Sequence, residues 1–90
     1  MPFQIIVQRE NPPIGFDPDD LTVEAGDAVF WFNADHHTTH QMCPQDGVAG
    51  DWGDPVPPQN PSMQVNMTPA GDYPYRCALH EGETGIIHAT

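Results

Sequence analysis

Proline constrains this chain before any other residue does. Eleven prolines and eight glycines fall within 90 residues, which argues against long helices and for short strands joined by turns. A chain of this length reads as one domain, residues 1–90, with a thin core. It buries roughly 60–70% of its unfolded surface, so a bound metal or a disulfide would add usefully to its stability. The sequence holds no apolar run of the length, about 18 residues or more, that would read as a membrane-spanning helix.

The strand signals follow the period of two expected of half-buried sheet. Residues 3–9 are rich in β-branched side chains and end at Asn11-Pro12-Pro13. Leu21, Val23 and Ala25 alternate with polar residues over 16–25, and Gly26-Asp27 supplies a turn. Residues 28–33 set Val29, Trp31 and Asn33 against Phe30 and Phe32, so both faces are bulky. Residues 38–43 are expected to add a short fourth strand. The stretch 44–61, with five Pro, three Gly and three Asp, reads as a long surface loop anchored by Trp52. Met63, Val65 and Met67 alternate toward a core, and two further strands follow over 73–77 and 85–89. Seven or eight short strands at this spacing predict an all-β fold, an antiparallel Greek-key β-sandwich.

The charge balance excludes one class of partner. Thirteen acidic residues face two arginines and no lysine, a formal net charge of −11, which repels the phosphates of nucleic acid. Such a surface suits a cationic partner, a salty habitat, or simply solubility. Met1-Pro2-Phe3 leads straight into a strand-like segment with no leader ahead of it. That fits either a mature periplasmic or extracytoplasmic form or a cytoplasmic protein.

Chemistry concentrates in two places. Cys77-Ala78-Leu79-His80 puts a thiolate and an imidazole in one short loop after an aromatic strand, and Asp35-His36-His37-Thr38-Thr39-His40 is a His-rich turn upstream. A Cys and a His from one loop with a His from another make the His₂Cys set that electron-transfer copper sites use. The rival arrangements are a Cys43–Cys77 disulfide and a structural Cys₂His₂ zinc site, since His40-x-x-Cys43 mirrors Cys77-x-x-His80. His88, in the last strand, reads as a structural or surface residue.

The ordered run Phe16, Pro18, Leu21, Val23, Gly26, Asp27, Val29, Trp31 and Asn33 is followed by His40. Then come Pro69, Gly71, Tyr73, Tyr75, Cys77 and His80, with Gly85 and Ile87 last. Over nearly its full length the chain thereby resembles the cupredoxins, the plastocyanin and amicyanin type of small copper protein. The resemblance implies a β-sandwich binding one copper ion and passing one electron at a time, with no catalytic residues. The ligands it implies are Cys77, the following His80 and an upstream His, with the edge of His80 as the electron door and Ala78 and Leu79 in an apolar docking patch. It also implies a monomer that meets a redox partner, here one with a basic docking surface. One of Tyr73 and Tyr75 is expected to make a tyrosine-corner contact.

Two positions depart from the family pattern. The upstream ligand commonly falls six residues after the strand Asn, which here is Thr39; His40 lies one residue further, with His37 and His36 as alternatives. No Met follows His80, and the position that carries the axial Met in the shortest family loops is Glu83. The expected set is therefore His40, Cys77, His80 and Glu83, with copper of the red or green rather than the blue type. The alternative is that Glu83 faces solvent and water completes the site. An exchangeable position of that kind would suit small-molecule binding, and a copper carrier is a further possibility. Cys43 is expected to be a buried free thiol.

Overall fold

Eight short strands make up the regular structure of residues 2–90, the part of the chain described by the computed structural model. They are β1 (Phe3–Gln8), β2 (Gly15–Asp17), β3 (Asp20–Val23), β4 (Ala28–Asn33), β5 (Met42–Pro44), β6 (Val65–Asn66), β7 (Gly71–Cys77) and β8 (Thr84–Ala89). Two four-stranded sheets result, in the orders β2-β1-β4-β6 and β3-β8-β7-β5. No helix long and apolar enough to cross a membrane occurs among the described residues.

The alternation read from the sequence sets which faces meet. Ile5 and Val7 of β1 and Val29 and Trp31 of β4 are buried, and they pack with Tyr75, Cys77, Ile87 and Ala89 of the second sheet. The expected all-β sandwich is what forms, but its sheets are mixed. β1 lies parallel to β4 and β3 parallel to β8, while the other pairings are antiparallel. The cause is the crossing between sheets: after β2 the chain leaves for the second sheet as β3, then returns as β4 on the far side of β1.

An aromatic cluster ties the loop 45–64 to this core. Trp52 stacks on Trp31 with ring centroids 5.3 Å apart, and Tyr75 meets Trp31 edge-on at 5.1 Å, geometries favoured by the ring quadrupoles. Trp52 thus anchors the loop, as its sequence setting suggests. Gly85 sits against Tyr75 so closely that a Cβ there would collide with the phenol ring and hydroxyl. Tyr73 makes the tyrosine-corner contact, its hydroxyl donating to the Pro69 carbonyl.

Three local expectations are corrected. Met63 does not point to the core: it is exposed and lies beside Gly53, because β6 begins only at Val65. The strand expected over 38–43 forms later, over Met42–Pro44, so Cys43 lies within it rather than at its end. The segment 16–25 divides into β2 and β3, one in each sheet.

Candidate metal centre

The turn after β4 is organised from within. Asn33, fully buried, donates from its amide to the carbonyls of Thr38 and Val56, at 2.8 and 3.0 Å, and accepts from the backbone N–H of Asp35. His40 pairs with Val56 through two backbone hydrogen bonds, which fix its strand-like geometry without a long strand. The second contributor is the end of β7, where Cys77 leads into the tight loop 78–83. That loop is closed by the Cys77 N–H donating to the Glu83 carbonyl at 3.0 Å, and the Ala78 N–H donates to Gln41 at 2.7 Å. Both loops therefore meet at one end of the sandwich.

There the side chains of His40, Cys77, His80 and Glu83 converge, with one potential ligand atom of each lying within 4.8 Å of all the others. Cys77 Sγ lies 3.6 Å from His40 Nδ1 and 3.3 Å from His80 Nδ1. Glu83 Oε1 lies 3.4 Å from His40 Nδ1 and 3.7 Å from His80 Nδ1. His40, Cys77 and Glu83 are buried, and His80 keeps 18% of its side chain in contact with solvent.

The electrostatics of the group follow from this burial. Desolvation pushes the Cys77 thiol up, but hydrogen bonds from His40 and from the backbone N–H groups of Gln41 and Leu79 outweigh it and leave the thiol below its ordinary range. Burial pushes His40 down, yet its bonds to Cys77 and Asp35 and the charge of Glu83 carry it above the ordinary imidazole value. His80 is lowered by desolvation first and by the neighbouring His40 and Arg9, with Glu83 opposing. The thiol is thus biased toward thiolate, the form that ligates metals.

The two buried oxygens of Glu83 have different fates. Oε2 accepts from the Arg9 guanidinium at 2.9 Å, while Oε1, turned toward the other three groups, has no hydrogen-bond partner. A buried carboxylate oxygen left unpaired costs several kcal/mol by order of magnitude unless something positive meets it. A metal ion does that, so the residues present fit one: two imidazole nitrogens, a thiolate sulfur and a carboxylate oxygen. On the far side of His40, Nε2 is 2.7 Å from Asp35 Oδ2, both fully buried. This carboxylate orients the ring so that Nδ1 faces the group.

Several residues with ligand chemistry stay outside. His36 and His37 are exposed, and their backbone N–H groups donate to Glu10 at 2.9 and 2.8 Å. Cys43 and Cys77 are free thiols and no disulfide joins them. Cys43 is opposite Arg76 in the β5–β7 ladder and does not enter the group, so a Cys₂His₂ zinc set is not assembled among the described residues. Burial lifts its thiol above the ordinary value, with Arg76 opposing. His88 bridges Asp72 at 2.7 Å and Asp20 at 3.0 Å on the sheet surface.

Asp35 and Arg9 contact this group, and the sequence reading gave neither a part in it. Arg9 lies 74 residues from Glu83, and no local spacing connects them. Asp35 carried one signal: five residues before His40, in a buried turn, it is a carboxylate within reach of the ring.

No protein-family model matches this sequence, and no curated protein sequence matches it. Solved structures do match. A purple cupredoxin from Nitrosopumilus maritimus superposes with a TM-score of 0.79 at 21% identity, over 98% of this chain and 99% of the other. Amicyanin from Paracoccus versutus gives 0.76 at 21% identity, over 97% of this chain and 81% of the other. A mutant fern plastocyanin gives 0.74 at 20% identity over 97% and 99%. One domain-sized match is a copper-containing nitrite reductase from Thermus scotoductus, at 0.78 and 19% identity, covering all of this chain and 22% of the reductase. At such identities the likeness speaks for architecture, and the architecture of this chain is the cupredoxin fold.

Proposed function

We propose that this protein is a mononuclear copper protein that carries single electrons, with His40, Cys77, His80 and Glu83 as its ligands. The observation that carries the reading is the unpaired Glu83 Oε1, buried and aimed at the meeting point of one thiol and two imidazoles. Thiolate and imidazole donors suit copper, and the backbone hydrogen bonds that close the two loops at this end of the sandwich resist rearrangement. Copper held there supplies a Cu(I)/Cu(II) couple.

The residues of the chain then have separable roles. Cys77 and the two histidines provide strong, fixed donors, and Asp35 holds His40 in the tautomer whose Nδ1 is free. Glu83 is a harder donor than the thioether of methionine, so it favours the oxidised ion, lowers the reduction potential and moves the colour from blue toward red or green. His80 is the ligand that solvent reaches, and exposed Leu79 stands beside it. We place electron exit at that edge. The net charge of −11 would speed encounter with a basic redox partner at low salt. A location outside the cytoplasm belongs to the same proposal.

The deciding measurement is the absorption and electron spin resonance spectrum of the copper-loaded protein. An intense thiolate-to-copper band is expected, and a colourless Cu(II) form would sink the reading. Glu83→Met should raise the potential and make the spectrum bluer; no change in either would remove Glu83 from the ligand set.

A further inference from the structure

Arg9 meets the metal group along two routes. Its guanidinium Nη1 donates to Glu83 Oε2 at 2.9 Å. Its backbone N–H donates to both oxygens of Asp35, at 3.0 and 2.9 Å, and Asp35 Oδ2 in turn holds His40. The other arginine, Arg76, turns away and donates to the Gly47 carbonyl at 3.1 Å. A single residue just past the end of β1 thus braces two of the four groups, one by its side chain and one through its backbone.

We propose that Arg9 is a positioning residue for the metal: its ion pair with Glu83 makes that carboxylate a one-oxygen donor. The proposal rests on the reading of Glu83 as an axial ligand. A carboxylate with both oxygens free can grip a cation with one or with both. Here Oε2 is engaged in a charge-assisted hydrogen bond, leaving Oε1 as the atom offered to the site. Burial makes the restraint effective, because Glu83 is only 5% exposed and water is poorly placed to replace the guanidinium.

The charge of Arg9 acts in the same place. A permanent cation beside the axial carboxylate weakens that oxygen as a donor and repels Cu(II) more than Cu(I). Arg9 therefore counters part of the preference for the oxidised ion that Glu83 introduces. Its side chain is 47% exposed, so solvent screens the effect. Loss of the charge is expected to change the Cu(II)-over-Cu(I) preference by about tenfold rather than by many orders. Lysine carries the charge but lacks the planar fork, so the two contributions can be separated.

The test compares copper-loaded wild type with Arg9→Met and Arg9→Lys, in the wild-type and Glu83→Ala backgrounds, by absorption, electron spin resonance and reduction potential. Arg9→Met should give a more tetragonal resonance spectrum and a roughly tenfold stronger preference for Cu(II). Arg9→Lys should recover most of the preference. The change in the resonance spectrum should vanish when Glu83 is alanine, as it must if Arg9 acts through that carboxylate, and the shift in preference should shrink to the part that the bare charge contributes. If Arg9→Met does not fold, Arg9→Gln serves the same comparison. Wild-type spectra and potential in Arg9→Met, beside a Glu83→Ala protein changed in both, overturn the role of Arg9. So does an equal shift in both backgrounds. If Glu83→Ala changes nothing while the wild type keeps its thiolate colour, the axial assignment falls, and this inference with it.

Discussion

Two histidines in this protein sit against aspartates, and they are built for different ends. His40 is fully buried, and Asp35 takes only its Nε2, leaving Nδ1 to face a thiol, a second imidazole and an unpaired carboxylate oxygen. His88 is on the surface of the second sheet, with Nδ1 on Asp72 and Nε2 on Asp20, so neither nitrogen is left. The first arrangement leaves one nitrogen open toward the group, which is what the proposed ligand role requires. The second staples three strands, because Asp20, Asp72 and His88 belong to β3, β7 and β8. What separates them is the free nitrogen and the burial, not the residue types.

The largest test of that contrast uses the two cysteines, which divide in the same way. Cys77→Ser should abolish the thiolate colour of the copper-loaded protein, whereas Cys43→Ser should keep it. The Cys43 change should instead lower the stability of the metal-free protein by about 1–3 kcal/mol in urea unfolding, the cost of putting a hydroxyl in a fully buried position that holds a thiol. Loss of colour on changing Cys43 would place that thiol in the group after all.

A smaller effect is expected behind His40. Asp35→Asn should weaken copper binding by about 10–100-fold in titrations against a competing chelator, since the carboxylate no longer orients the ring. Asp72→Asn, the same change beside His88, should leave affinity untouched. Equal affinities for the two variants would break the distinction.

The smallest effect concerns pH. The hydrogen bond to Asp72 raises His88 above its ordinary pKa, and the charge of Asp20 adds to it. A group raised in the folded state gives stability that is fully present below its unfolded pKa of about 6.5. That stability is lost as pH rises through the higher folded value. Melting curves of wild type and His88→Gln should therefore differ slightly in mild acid and converge in mild alkali. The difference should shrink in salt, because the cluster is exposed. A gap that widens with pH would show the sign to be wrong.

The parts legible in the sequence are those written in short spacings. Cys77, His80 and Glu83 share one loop, so they could be read as candidates for one group, with a solvent-facing Glu83 as the alternative. The alternation of β4 set Val29 and Trp31 against Phe30 and Phe32 but left both faces bulky, and packing against the second sheet selected the first pair, with Ile5 and Val7 of β1, as core. Alternation misled at Met63, where no ladder holds the backbone and so no face is defined. Nor could it reveal that β1 runs parallel to β4, because periodicity shows that a face is buried but not which strand lies beside it.

By itself, then, the sequence determined an all-β chain with a Cys-x-x-His loop, a His-rich turn and a carboxylate three residues after His80. Local rules suffice for these, since turn chemistry, period and short spacing act over a few residues. The preference for His40 over His36 and His37, and a free buried Cys43, were already expectations from the sequence; only the tertiary structure brought Asp35 and Arg9 to the group. Those placements depend on contacts across 26 residues between Arg9 and Asp35 and 74 between Arg9 and Glu83. Such pairs exist only once two sheets have closed on a common core, where burial makes each unpaired polar atom costly enough to select its partner.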